Sequence, residues 1–313
     1  MKRSRGRDIN GVILLDKATG ISSNFALQQV KRLFFAKKAG HTGSLDPLAS
    51  GLLPICLGQA TKVAQFLLND NKRYFVRGKL GQISDTGDAE GKISSFGPTE
   101  GINEPSVAQV LPEFLGNIKQ VPPMYSALKR DGKPLYELAR QGIEVEREAR
   151  PVTIHEINFL GLENGSSKYH FLGLENGILS LDVACSKGTY IRTLVEDIGK
   201  MLGCGAHVIE LRRTGFAHFD LTHSITFEQL EAIKSDNFEA LDASILGADT
   251  MLPNFDSVFL SAEQTSDIKL GRKIQYKGYA QVQKLRLFDE KHQFIGIGES
   301  NLEGEVLPKR LFV

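Results

Sequence analysis

Apolar and polar positions along the chain fall into short blocks with two different periods. Residues 10–16 carry Gly-Val-Ile-Leu-Leu and predict a short strand. Gly20-Ile21-Ser22-Ser23 is a turn with a helix N-cap. A helix is predicted over about 24–38, with Val30, Leu33 and Phe34 at helical spacing and Gly40 as its stop. A second is expected over 59–68, through Ala60, Val63, Ala64 and Leu67. Residues 72–81 alternate and predict a strand that runs into a polar loop over 82–91. The pattern then predicts a helix over 106–118, an extended loop over 122–127, and a helix over 135–141 ended by Gly142. An extended charged stretch over 143–148 and a strand over 152–160 follow.

An internal repeat comes next. Phe159-Leu160-Gly161-Leu162-Glu163-Asn164-Gly165 recurs at 171–177, a shift of 12 residues. Each copy is strand-like and ends in Asn-Gly, a hairpin signal, so a lengthened β-meander is expected. Two copies are too few for a solenoid. A strand over 178–184 leads to Ser186-Lys187-Gly188-Thr189-Tyr190-Ile191-Arg192. Thr189 can cap a helix whose apolar face is Ile191, Leu194, Val195 and Ile198, closed by Gly203. Residues 205–215 predict a strand ending in Arg212 and Arg213, and 222–248 an acidic helical region. Past Pro253, short strands over 257–260, 281–288, 294–299 and 306–313 suggest a small β-barrel-like module. The expected fold class is α+β, a mixed, mainly antiparallel sheet over residues 1–250 followed by that module over 251–313.

At 313 residues, one large and one small domain are the natural division. No apolar run approaches the roughly 20 residues needed to span a bilayer, and the basic N-terminus lacks a signal-peptide core, so a cytoplasmic protein is expected. Cys56, Cys185 and Cys204 are too few and too scattered for a disulfide framework. Cys204 and His207 have CxxH spacing without a second ligand pair, so packing is expected there and no metal. Net charge is only +1, but it is unevenly spread. Residues 1–45 carry nine basic against two acidic residues, and 219–270 carry ten acidic against two basic. Such asymmetry suits a polyanion bound at selected faces, or a set of solvated helix faces.

The candidate chemistry lies in His41-Thr42-Gly43-Ser44-Leu45-Asp46-Pro47-Leu48-Ala49-Ser50-Gly51. Pro47 disfavours the α conformation for Asp46, and Gly43 and Gly51 permit reversals, so a stiff loop holds one acid. A surface Asp-Pro turn is the plainer alternative. Tyr74 is a strand aromatic that could stack a flat ring among cations. Arg192 could pair with Glu196 one turn on, or with a carboxylate elsewhere. Nucleotide-binding glycine motifs, a nucleophile elbow and a metal-binding HExxH are absent from the sequence. What remains is carboxylate chemistry without a cofactor.

Four ordered motifs over residues 10–215 resemble the TruB family of tRNA pseudouridine synthases. They are the Asp46 loop; Lys72-Arg73-Tyr74 with Leu80-Gly81 and Asp85-Thr86-Gly87-Asp88; Ser186 through Arg192; and Gly205-Ala206-His207-Val208 through Arg213. The tail resembles a PUA-type RNA-binding module. The resemblance implies isomerisation of uridine 55 in the T-loop of tRNA to pseudouridine, without a cofactor. It implies Asp46 as nucleophile on a flipped-out nucleotide, Tyr74 stacking on the base and Arg192 keeping Asp46 ionised. Tyr190 and Leu211 would line the uracil pocket, and His41 would hold the stem-loop. The T stem-loop is the implied partner, no membrane is involved, and a monomer is expected. Two rivals are an RNA-binding protein without catalysis and a carboxylate hydrolase using Asp85 or Asp88 as second acid.

Overall fold

The computed structural model describes residues 6–67, 70–163, 177–234, 238–276, 278 and 281–312. Its main sheet runs Ile225–Thr226, Gly11–Lys17, Ser50–Leu57, Ala206–Phe216, Lys72–Leu80, Ile178–Cys185, Arg150–Glu163, Gly116–Gln120. Along this path only two neighbouring pairs are parallel, Gly11–Lys17 with Ile225–Thr226 and Ser50–Leu57 with Ala206–Phe216. The rest are antiparallel, so the expected mixed, mainly antiparallel sheet is what forms.

Strand parity decides what covers each face. Ile13, Leu15, Leu53, Ile55 and Leu57 point to one side, and Val12, Leu14, Leu52 and Cys56 to the other. Strands apolar on both faces need cover on both. On the first side lie the helices Ser23–Leu33 and Ile191–Met201, through Ala26, Val30, Leu33, Leu194, Val195 and Ile198. On the second lie Met251, Leu252 and Ile297, with Phe255, Phe294 and Phe312 packed against them. The C-terminal module therefore closes the back of the sheet, and Lys62 donates to the Leu311 carbonyl across the junction (2.6 Å).

That module is a curled five-stranded sheet, ordered Asp256–Phe259, Lys284–Phe288, Phe294–Ser300, Glu305–Leu311, Ile274–Gln275. Its own core holds Val258, Ile268, Leu285, Leu287 and Val306. Sequence reading missed its helix Ala262–Lys269, which Ser261 starts with a capping box to Gln264.

Several boundaries differ from expectation. The first helix stops at Leu33, not near Lys38, and a strand Ala39–His41 follows. The 59–68 helix is a 3₁₀ turn, Gly58–Lys62, with a single α turn, Ala64–Leu67. The 106–118 helix is Glu104–Val110 only. Pro112 falls in a tighter 3₁₀ turn, Gly116 turns with φ +84°, and Gly116–Gln120 becomes an edge strand. The acidic region holds two short helices, Phe227–Ile233 and Glu239–Asp242. Thr189 does not cap the next helix: its hydroxyl donates to the Ser186 carbonyl (3.0 Å), and Tyr190 takes the N-cap position. The first FLGLENG copy enters the strand Arg150–Glu163; residues 164–176, and with them the expected Asn-Gly turn, lie outside the described residues.

Candidate active site

The Asp46 loop is held from both sides. Ser23, inside the first helix, accepts from the Leu45 amide (2.7 Å) and donates to the Leu45 carbonyl (2.8 Å). The Gly20 amide reaches the Pro47 carbonyl (2.8 Å), and the Thr19 hydroxyl the Leu48 carbonyl (2.6 Å). From the sheet, Arg213 donates to the carbonyls of Leu52 (2.6 Å) and Gly43 (3.1 Å). Gly43 and Gly51 have φ of +71° and +100°. A Cβ on Gly51 would stand 2.2 Å from the Arg213 carbonyl oxygen, so only glycine fits this approach of loop to strand.

Arg192 emerges from the first turn of Ile191–Met201 and ignores the Glu196 alternative. Its Nη2 lies 2.9 Å from Asp46 Oδ2 and donates to the Tyr125 carbonyl (2.7 Å). Its Nη1 donates to the Thr86 carbonyl (2.7 Å) and to Asp88 Oδ2 (3.3 Å). The Arg192 and Asp88 side chains are 6% and 4% exposed, while Asp46 is 44% exposed. One buried guanidinium thus joins a hidden carboxylate to an accessible one. Asp88 also caps its own loop: its Oδ1 accepts from the Thr86 hydroxyl (2.6 Å) and the Glu90 amide (3.1 Å). From sequence Asp88 was a candidate second acid of the rival hydrolase or a cap of its own loop; its contact with Arg192 was not expected.

These groups meet in a pocket of about 480 Å³. Its wall includes Asp46, Tyr74, Tyr190, Arg192 and Leu211, five of the six residues singled out from sequence. His41 is not in that wall; it lies half-buried at the end of Ala39–His41. Lys72, Ser126, Lys187 and Arg213 join the lining without having been expected. Buried Gln120, on the edge strand, fixes the Tyr190 backbone, accepting from its amide (3.0 Å) and donating to its carbonyl (3.3 Å).

Residues 31–191 match the TruB family pseudouridylate synthase N-terminal domain. Residues 192–253 match the tRNA pseudouridylate synthase B C-terminal domain, and 257–312 the pseudouridine synthase II TruB C-terminal domain. The chain belongs to the TruB family of pseudouridine synthases. A tRNA pseudouridine synthase B of Shewanella sp. (strain ANA-3) is 48% identical over 320 residues, covering 100% of this chain and 97% of the relative. One from Mannheimia succiniciproducens is 49% identical over 313 residues, covering 99% and 98%. Among solved structures, a Cbf5-Nop10-Gar1 complex matches with TM-score 0.67 and 25% identity, covering 97% of this chain and 85% of that one. An archaeal box H/ACA sRNP Nop10-Cbf5 complex shares the fold at TM-score 0.68 and 22% identity, covering 97% and 86%.

Electrostatics qualify one expectation for this TruB site. Burial pushes the Asp46 carboxyl above the usual carboxylate range, and the Asp88 charge adds to this. Arg192 and Lys17 oppose the shift without reversing it. Arg192 therefore limits the rise in Asp46; it does not carry the group below its ordinary value. Burial likewise raises the Tyr74 hydroxyl against the pull of Arg213, so Tyr74 is a neutral phenol at neutral pH. Burial and Arg213 lower His41, which is a neutral imidazole. Lys72 is lowered to about 8 by burial and then by Arg213.

Proposed function

We propose that this pseudouridine synthase isomerises uridine 55 in the T-loop of tRNA. The N1–C1′ bond of the nucleotide breaks, a C5–C1′ bond forms, C5 gives up its proton and N1 gains one. The relatives' name, tRNA pseudouridine synthase B, supports tRNA as the substrate class. The observation that carries the mechanism is the accessible Asp46 carboxylate, fixed on Arg192 in a pocket walled by Tyr74, Tyr190 and Leu211. Asp46 is the nucleophile. Tyr74 stacks on the extruded uracil, and Tyr190 and Leu211 flank it. Extrusion costs a few kcal/mol, and stacking returns roughly 1–3 kcal/mol. His41, outside the pocket wall but at the mouth of the same loop, contacts the stem-loop. Residues 1–250 form the catalytic domain and 251–313 a PUA-like RNA-binding domain. The enzyme works as a cytoplasmic monomer without a cofactor.

Asp88 weakens the hydrolase reading. Its oxygens already accept from Thr86, Glu90 and Arg192, which leaves it poorly placed as the second acid a glycosidase needs. Asp46→Asn separates the readings. The variant is expected to bind an unmodified tRNA transcript like wild type and to form no pseudouridine at position 55. Full activity in it would remove Asp46 as nucleophile, and release of free uracil by wild type would favour hydrolysis.

A further inference from the structure

The helix Ser23–Leu33 ends in a Schellman motif. The Phe35 amide donates to the Arg32 carbonyl (3.0 Å) and the Ala36 amide to the Lys31 carbonyl (2.9 Å). The residue that must turn left-handed there is ordinarily glycine; here it is Phe35, at φ +50°. A bulky residue in that region costs roughly 1–2 kcal/mol. The conformation is enforced from outside, since the Arg7 amide holds the Phe35 carbonyl (2.5 Å) and the Lys37 amide returns to Arg7 (3.1 Å). A phenylalanine can repay such strain by burial, but this ring is 51% exposed. Glycine would serve the fold better, so the ring is held outward for something other than stability.

Its surroundings say what. Arg32 and Lys38 are exposed beside it and, among the described residues, make no ion pair; Lys37 pairs only with exposed Asp8. Phe25, seven residues before Arg32 on the same helix face, is 52% exposed. Two exposed aromatics interleaved with unpaired cations suit a nucleotide chain, rings for bases and cations for phosphates. A symmetric contact with a second copy would set these cations against each other. The segment that carries the stripe is tied to the active-site loop. Ser23 of this helix holds Leu45 in the pocket wall, and four residues after Phe35 the chain enters Ala39–His41 and then the Asp46 loop.

We infer that Phe35, with Arg32 and Lys38, is a docking platform for an unpaired nucleotide of the tRNA outside the catalytic pocket. The inference rests on tRNA being the substrate. The test compares wild type, Phe35→Gly and Phe35→Tyr for tRNA-transcript binding, single-turnover pseudouridine formation at saturating enzyme, and Tm. Phe35→Gly is expected to weaken binding roughly five- to hundredfold, the range of one base–aromatic stack. Its saturated rate should stay unchanged and its Tm rise by a few degrees; Phe35→Tyr should bind like wild type. Unchanged binding in Phe35→Gly, or a fall in its Tm, overturns the inference. A shift from dimer to monomer with unchanged tRNA binding would assign the ring to self-association instead. If wild type forms no pseudouridine yet Phe35→Gly still binds tRNA more weakly, the proposed activity fails and the platform stands.

Discussion

Asp88→Asn perturbs the Asp46–Arg192 pair without touching the wall of the 480 Å³ pocket. All three hydrogen bonds of the Asp88 carboxylate use it as an acceptor: Oδ1 from Thr86 and the Glu90 amide, Oδ2 from Arg192. Asparagine has one acceptor end. If its oxygen stays with Thr86 and Glu90, its NH₂ faces the Arg192 guanidinium, donor against donor. Breaking a buried ion pair costs about 3–5 kcal/mol. Arg192 keeps Asp46 and two carbonyls, so a loss of roughly 2–4 kcal/mol is expected, or a Tm fall of roughly 5–10 °C. The larger consequence is positional. Arg192 reaches Asp46 through the same guanidinium, and a misplacement near 1 Å can slow an enzyme about a hundredfold. A tRNA transcript labelled with tritium at uridine C5 reports the reaction, since that proton is lost when C5 joins C1′. Single-turnover release should fall at least about tenfold. The pH profile adds an independent sign. As the proposed nucleophile Asp46 must be ionised; its carboxyl is raised, and Asp88 contributes to the rise. Removing that charge should move the acid limb of the rate to lower pH. Asp85→Asn is the control, because Asp85 accepts from the Lys92 amide (2.8 Å) and stands apart from Arg192. An Asp88→Asn enzyme with a wild-type rate and an unmoved acid limb would refute the assignment of Asp88 as a positioning residue.

Gly51→Ala should be far more damaging than its size suggests. The new Cβ would meet the Arg213 carbonyl at 2.2 Å at a positive φ, so roughly 2–5 kcal/mol of stability should be lost, read by denaturant unfolding. Wild-type stability in this variant would mean that the loop approaches the strand less closely. Lys72 carries a pH signature. Its folded pKa is lowered to about 8 from 10.5, so between those values the unfolded chain binds more protons and folding stability rises with pH through this group. Lys72→Met should remove that rise, so the stability difference between variant and wild type should change across this window and be flat below it. A constant difference from pH 7 to 10 would show that Lys72 is not buried as a cation.

Local pattern carried much of the fold because the central strands are unambiguous. Alternation at 72–80 and continuous apolar runs at 11–15 and 52–57 leave few other conformations. Boundaries failed where a backbone detail overrode periodicity. Phe34 and Phe35 look like the next turn of a helix, yet one caps it and the other turns left-handed. Leu115 and Ile118 keep a helical interval, yet Pro112 and Gly116 had already ended the helix. The helix Ala262–Lys269 was hidden because its face is only weakly apolar, with Thr265 and Ile268 its buried residues.

The site was legible where one short segment carries both the group and its constraint, as in Gly43 to Gly51. It was not legible where function depends on strand register, and Arg213 shows why. In the sheet Arg213 stands opposite Gly51 on one neighbouring strand and opposite Tyr74 on the other. No spacing in the chain announces a residue between two partners more than a hundred positions away. Yet that register places one buried guanidinium over the Asp46 loop, through Gly43 and Leu52, and beside the Tyr74 ring. The proline-stiffened loop sets the direction of Asp46 locally, while Arg213 sets it relative to Tyr74. A carboxylate and a stacking ring can act on one nucleotide only if their separation is fixed. The glycine at 51 is the condition for that, because any side chain there would push the loop off the strand that carries Arg213.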